Sequence, residues 1–344
     1  MSLRTKLSDT IPAKFPATPT IGITYDTRDD FEYASDDPWD WAAEFEVSVA
    51  IGDIANAIED LGFPTVMIGS AAKLLDGFSA YRKEVQMVFN IAEGKMGRAR
   101  EAQVPSILEA GGIAYVGSDA ETLAIGLNKA QTKYNALAHG IRTPEFVVVS
   151  DVAEMRQDQI PEYPVILKLT HGGSSMGVDE KSKINDFAQL KRHVRYLLRT
   201  YRQDVLVERF IEGPEFDVPI LGTKPDDAFG VVEVTLNGKS MGENHLTSRI
   251  VYRDDYGLDV VAAEGDFSEY KAMALKAYNS LRCRDFGRVD IRVDESTGKP
   301  YFLEINPYPY LGPHSSFNYV AKSRGMEYKD MMGVIMESAL RRYA

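Results

Sequence analysis

Residues 287–309 read GRVDIRVDESTGKPYFLEINPYP, two short β-prone runs around a turn at 296–298. Side chains two apart on a strand share a face. Arg288 and Asp290 therefore point the same way on the first run, and Glu304 and Asn306 on the second. This brings three oxygen-bearing side chains and a cation together. Such a set suits Mg²⁺, a hard ion that prefers carboxylate and amide oxygens, retains water and completes its octahedron with phosphate oxygens. A polar face on an ordinary hairpin is the competing reading of this stretch taken alone.

Working back along the chain, KLTHGGSSMGV at 168–178 follows an apolar strand directly. Its glycines let backbone approach a ligand, and successive N–H groups in such a turn form an anion-binding nest, to which Lys168 adds a point charge. The lysine precedes the glycines, so this is not the P-loop order, and a plain flexible turn is the alternative. VLVERFIEGPEF at 205–216 is a strand followed by a break, bracketed by Glu208 and Glu215. A carboxylate and exposed backbone at a strand end can read the edge of adenine while apolar residues cover its face, and Glu215 is placed to reach ribose hydroxyls.

Around these segments the chain alternates. A strand at 20–25 is followed by a polar, acidic stretch at 26–40 and by apolar residues at helical spacing, Val47, Ile51, Ile54, Ile58 and Leu61. Strands at 65–68 and 85–91, a helix from about Glu101 to 110 and a short strand near Tyr115 continue an open α/β unit. Helical periodicity over 120–139 precedes strands at 146–149, 165–169 and 205–209, with a helix at 187–200 between the last two. Strands at 215–221, 230–236, 288–293 and 301–305 and helices near 268–281 and 328–342 complete the chain. The expected division is a loosely attached tail at 1–19, an α/β domain at 20–128, a central subdomain at 129–215 and a C-terminal subdomain at 216–344.

Composition sets limits. With 344 residues, 44% hydrophobic, the chain is long enough for two or three subdomains. Its single cysteine, Cys283, precludes an internal disulfide, the first 20 residues lack a secretory apolar stretch, and no apolar run approaches a bilayer span. A cytoplasmic protein without a membrane role is expected. The net charge of −12 opposes broad contact with nucleic acid, which demands clustered Lys and Arg.

In this order and at these separations the segments resemble the ATP-grasp superfamily, and within it the D-alanine:D-alanine ligase family. Further matches are AEFEVSV at 43–49, VFNIAEGKMG at 88–97, AYVGSDAETLAIGLNKAQTK at 114–133, YPVILK at 163–168 and HSS at 314–316, so the similarity covers nearly the whole chain from Thr20. It implies an α/β fold of the α+β ATP-grasp type, an N-terminal open α/β domain followed by two α+β subdomains that hold ATP between them. It also implies that Lys129 and Lys168 contact ATP phosphates under a loop containing Gly172, Gly173, Ser174 and Ser175. Glu208, Arg209, Phe210 and Ile211 would line the adenine site, Glu215 the ribose, and Arg249 the nucleotide from the 241–259 loop, with Tyr252 or Tyr256 beside it. Asp290, Glu304 and Asn306 match ligands for two Mg²⁺ ions, with Mn²⁺ as a substitute. Arg288 matches the arginine that stabilises a tetrahedral intermediate, Glu44 the glutamate facing the first substrate's amine, Ser174 the serine orienting that glutamate, and Ser315 and the neighbouring His314 the second substrate's carboxylate site. A homodimer is common in the family.

The implied chemistry is conversion of a carboxylate to an acyl phosphate by ATP, followed by attack of an amine, on small amino-acid-like substrates. A depsipeptide ligase with a hydroxy-acid acceptor, a phosphotransferase and a catalytically silent ATP-binding module are the alternatives on the same scaffold. The sequence departs from the family in its substrate pockets. Glu93 stands in place of a usual histidine, Arg98 and Arg100 replace an acidic-glycine segment, and Tyr310 in NPYPYL takes a position usually held by glycine. Together with a helix starting near Glu101, the two arginines are expected to form an anion site, favouring a first substrate that is larger than D-alanine or more anionic; pairing of Glu93 with one arginine, the other being solvated, is the competing reading.

Overall fold

Strand–helix alternation over 20–116 closes into a parallel sheet in the computed structural model, which describes residues 7, 9–29, 32–45, 47–260 and 266–344. In chain order this unit comprises β1 (Ile21–Tyr25), α1 (Ser48–Asp60), β2 (Thr65–Gly69), α2 (Ala71–Asp76), α3 (Phe78–Glu84), β3 (Met87–Ile91), α4 (Gln103–Gly111) and β4 (Ala114–Val116). The strand order is β2-β1-β3-β4, all parallel. Crossover helices bury both faces of such a sheet. Ile21, Ile23, Met87 and Phe89 pack with Ile51, Ile54 and Ile58 of α1 on one face. Val88 and Ile68 pack with Leu74, Val104 and Leu108 on the other. Gly22 admits this closeness, because a Cβ there would lie 2.6 Å from Ile68 Cδ1.

Two expectations are corrected here. The described part of the 1–19 tail is tied down: Leu7 is 1% exposed, and Ile11 and Phe15 pack against the same core. Apolar residues four apart anchor a segment whose prolines and threonines suggested a loose one. The helix expected from Glu101 begins at Gln103, after a 3₁₀ turn over Arg100–Ala102.

The single helix expected over 120–139 is two, α5 (Ala120–Leu127) and α6 (Lys129–Ala138). Asn128 breaks it: its backbone is extended, and its Oδ1 accepts from the N–H groups of Ala130 and Gln131 at 3.1 and 3.2 Å, a cap of the kind that satisfies orphan helix donors. Lys129 thereby opens a helix, and its N–H donates to Thr170 O at 2.9 Å. The break sets Lys129 against the glycine-rich turn.

The central sheet contains β5 (Phe146–Val149), β6 (Val165–Leu169), β7 (Lys183–Ile184) and, after α7 (Phe187–Tyr201), β8 (Val205–Arg209). It is antiparallel in the order β5-β8-β6-β7. Asp186 caps α7 by accepting from Gln189 N at 2.8 Å, and the stripe Leu190, Val194, Leu197 and Tyr201 buries one helix face against the sheet.

The remaining elements are β9 (Glu215–Leu221), β10 (Val232–Leu236), β11 (Lys239–Ser240), α8 (Ser248–Arg253), β12 (Gly257–Val260), α9 (Ser268–Ser280), β13 (Phe286–Val293), β14 (Pro300–Asn306), α10 (Ser316–Ser323) and α11 (Tyr328–Tyr343). The sheet runs β11-β10-β9-β13-β14, with β12 also on β10. The β13–β14 turn is organised by Asp294, whose Oδ1 accepts from the N–H groups of Ser296 and Thr297 at 3.0 and 3.1 Å. Helix α11 buries Met331, Ile335, Met336 and Leu340 in the core that holds β1 and α1. Residues 20–128 and 216–344 therefore share one core. Arg342 seals the joint, donating to Asp285 Oδ2 at 2.6 Å and Tyr115 O at 2.8 Å. No helix among the described residues is long and apolar enough to cross a membrane.

Candidate active site

A cavity of about 500 Å³ lies between the central and C-terminal sheets, with Arg28, Glu44, Glu93 and Glu101 of the first unit also in its lining. Its polar wall is the β9–β13–β14 surface. Register places Arg288 opposite Asn306, Asp290 opposite Glu304 and, across β9, Asp217 opposite Asp290. A register shift follows Asp290 on the β14 side. Arg288 donates from Nε and Nη2 to the two oxygens of Asp290 at 2.6 and 2.8 Å, and Asn306 Nδ2 donates to Asp290 Oδ2 at 3.2 Å. Burial pushes Asp217 up to about 7, against the pull of Arg288, and pushes Asp290 up as well. Burial works against the Arg288 charge, but Asp217 and Asp290 outweigh it and hold the guanidinium firmly protonated. Asp290, Glu304 and Asn306 are thus brought together. Among the described residues no group of three or more His, Cys, Asp or Glu is arranged to share a metal; this set is two carboxylates and an amide.

Two lysines enter from the opposite side. Lys129 Nζ lies 2.6 Å from Glu304 Oε2 and donates to Gly172 O at 2.6 Å. Lys168 Nζ lies 2.6 Å from Glu208 Oε1. The other Glu208 oxygen is held at 2.7 Å by Lys133, which is 0% exposed and also donates to Thr143 Oγ1 at 2.9 Å. Burial would raise Glu208, but Lys133 and Lys168 hold it at about 2. Burial likewise lowers Lys133 despite Glu208, as expected of an ammonium removed from water. Glu208, expected to read adenine, therefore lines the cavity with its carboxylate committed to two ammonium groups. Ile166, Phe210, Ile211 and Leu303 supply an apolar lining. Arg209 lines the cavity too, but its guanidinium turns to Glu145 Oε2 at 2.8 Å and lies over the Tyr301 ring.

Glu215 is paired with Arg292 at 3.1 Å. Arg292 also donates to the carbonyls of Gly242 and Asn244 at 2.8 and 2.6 Å and stacks over Phe210. It thus ties the 242–244 backbone to the expected ribose residue.

The glycine-rich turn is closed onto the 32–45 segment. Gly177 N–H donates to Asp40 Oδ2 at 3.0 Å, Tyr201 O–H donates to Asp40 Oδ1 at 2.8 Å, and Gly173 N–H donates to Glu44 Oε1. Ser174 and Ser175 take positive φ, 48° and 53°, the left-handed backbone that exposes successive N–H groups. Glu44 is oriented by the Gly173 N–H and by Arg100, whose Nη2 donates to both carboxylate oxygens at 2.8 and 2.6 Å. This corrects one expectation: the contacts that orient Glu44 come from Gly173 and Arg100 and not from Ser174. Arg100 is paired with Glu44, and Arg98 lines a smaller cavity of about 200 Å³ next door. Glu93, Tyr310 and His314 line the main cavity, His314 with Nδ1 3.3 Å from Asp254 Oδ2.

Besides Arg98 and Arg100, two more expected residues lie off the main cavity. Ser315 is buried and caps α10, accepting from Asn318 N at 3.2 Å. Arg249 is exposed on α8, while both Tyr252 and Tyr256 of the same region line the cavity. Lys133, Asp217 and Arg292 went unread in the sequence. Arg292 and Asp217 extend the period-two polar alternation of β13 and β9, whereas Lys133, one helical turn after Lys129, carries no comparable local signal.

Several known proteins are similar to this chain. The family described as D-ala D-ala ligase C-terminus matches residues 136–337. A D-alanine–D-alanine ligase of Xylella fastidiosa is 30% identical over 311 residues, covering 87% of this chain and 96% of the relative. An uncharacterized protein of Sinorhizobium fredii is 31% identical over 265 residues, 75% of each chain. A crystal structure of D-alanine–D-alanine ligase from Bacillus anthracis complexed with ATP superposes with a TM-score of 0.73 at 19% identity, covering 95% of this chain and 99% of that one.

Proposed function

Because the chain belongs to the D-alanine–D-alanine ligase family of the ATP-grasp superfamily, as a divergent member, we propose that it uses ATP to activate a carboxylate and join it to an amine. One observation carries the reading. Lys129, Lys168, Arg288, Asp290, Glu304 and Asn306, from three separate parts of the chain, line a single cavity, which a purely structural set of charges has no reason to do.

Each side chain has a task in that chemistry. A carboxylate becomes an electrophile only once its oxygen is part of a leaving group, so its oxygen attacks the γ-phosphorus of ATP and ADP departs. Lys129 and Lys168 neutralise charge on the transferring phosphoryl group, a step governed by positioning and electrostatics. The turn at 172–177 covers the site and excludes water from the acyl phosphate. The amine nitrogen then attacks the acyl carbon, a C–N bond forms, phosphate leaves and the nitrogen loses its proton. Arg288 faces the oxyanion that develops, a type of contact worth roughly 3–4 kcal/mol per donor in other enzymes.

Asp290, Glu304 and Asn306 fit a hard divalent ion by donor chemistry, and the upward push on Asp290, to which burial and Glu304 contribute, is what a shared cation would relieve. They would hold Mg²⁺ or Mn²⁺, which when bound supplies charge neutralisation to the phosphates. The test is to change Asp290 or Glu304 to Ala. Phosphate release should vanish while the circular dichroism spectrum is kept; unchanged turnover in both variants would remove the assignment.

A further inference from the structure

We infer that the first carboxylate substrate carries a second anionic group, and that the smaller cavity beside Glu44 receives it through Arg98 and Arg100. The inference deepens the ligase reading, and for the reaction it rests on that reading. The two cavities adjoin: Glu44, Phe45 and Met176 line both. At about 200 Å³ the smaller one has room for a substrate side chain, well below the ~300–1,000 Å³ of a typical ligand pocket.

The charge of its lining is one-sided. Lys95, Arg98, Arg100 and Arg202 face it, against Glu44 alone among the carboxylates. Glu44 offsets Arg100 and Asp36 offsets Arg202. Among the described residues no carboxylate pairs with Arg98. Arg100 is not exhausted either, since both of its bonds to Glu44 leave from Nη2 and a guanidinium has five donors. Gln203 adds an amide whose oxygen already accepts from His171 N–H at 2.9 Å, leaving its NH₂ to donate. His171 stays neutral there, held down at about 4 by burial, Arg98 and Arg100. Trp41 and Tyr201, stacked with ring centroids 6.4 Å apart, form an apolar wall for the linking carbons. The unspent charged groups on this side, Arg98 and the free donors of Arg100, are thus all donors, joined by the Gln203 NH₂, and a carboxylate or phosphate is their complement.

The occupant is an amino acid with an acidic side chain. Its ammonium can share Glu44 with Arg100, and its reacting carboxylate remains in the main cavity. The experiment is calorimetry with isosteric pairs, D- and L-glutamate against glutamine and aspartate against asparagine, in the presence of a non-hydrolysable ATP analogue and Mg²⁺. At least one acid should bind about tenfold or more tightly than its amide. Arg98→Ala should erase that preference without changing affinity for the amide or the nucleotide, and Arg98→Lys should restore part of it. Amides binding as well as acids in every pair, or a preference that survives Arg98→Ala, would overturn the inference. The same compounds assayed for ADP and amide product judge the ligase reading separately. Acid preference without amide formation would sink the ligase and keep the subsite; amide formation without acid preference would do the reverse.

Discussion

Lys129 Nζ stands 2.6 Å from Glu304 Oε2, so an expected phosphate-binding cation and an expected metal-binding carboxylate neutralise each other across the cavity. Burial would raise Glu304, yet Lys129 and Lys168 hold it at about 2. Polyphosphate and a divalent ion, arriving together, would replace both halves of that pair.

The first prediction follows for the nucleotide. Lys129→Met and Lys168→Met should each weaken ATP far more than adenosine, because only ATP carries the phosphates. Calorimetry with both ligands checks this, and equal losses for the two would contradict the phosphate role.

A second prediction concerns stability. Lys133 and Glu208 are buried as a pair, and removing one partner strands the other. Lys133→Met should cost about 3–5 kcal/mol in urea denaturation. Lys168 also touches Glu208, so the double change Lys133→Met with Glu208→Leu should recover part of the loss. A single variant as stable as the wild type would mean that Lys168 alone suffices for Glu208.

The contrast between these lysines marks what could be read from sequence. The strands and the shared face of Arg288 and Asp290 follow from period-two alternation, a local signal. Lys133 gave no such sign, because a lysine one turn along a helix looks like a solvated charge, and only the tertiary structure buries it against Glu208 of β8. The Glu44–Arg100 pair spans 56 residues, and nothing local predicts which carboxylate an arginine will meet. Asn128 is tolerated inside helices, so its role as a break emerges only from the bridge it makes with His171.

The turn at 171–178 should be the element that responds to nucleotide. It is held to the 32–45 segment through Asp40 and Glu44. Its amide hydrogen exchange should slow when ATP and Mg²⁺ are added, and Asp40→Ala should speed exchange in the free protein. Identical exchange with and without nucleotide would show that the turn does not act as a cover.

Acidity offers a fourth check. Burial pushes Glu101 up to about 8 from an ordinary 4.5, opposed by Arg100 and reinforced by Glu44. In the unfolded chain this carboxyl releases its proton near 4.5, while the folded protein keeps it until about pH 8. The stability it contributes is therefore full below the lower value and is lost as pH rises toward and through the upper one. Glu101→Gln should flatten that fall. Parallel slopes for wild type and variant between pH 5 and about 8 would refute it.

The most direct measurement of the central claim is the stoichiometry of products. Purified protein is incubated with ATP, Mg²⁺ and pairs of D- and L-amino acids, and ADP, phosphate and any amide are quantified together by chromatography and mass spectrometry. At least one pair should yield one ADP and one phosphate for each amide formed. Formation of AMP and pyrophosphate with the amide, or release of ADP with no amide from any pair, would contradict it.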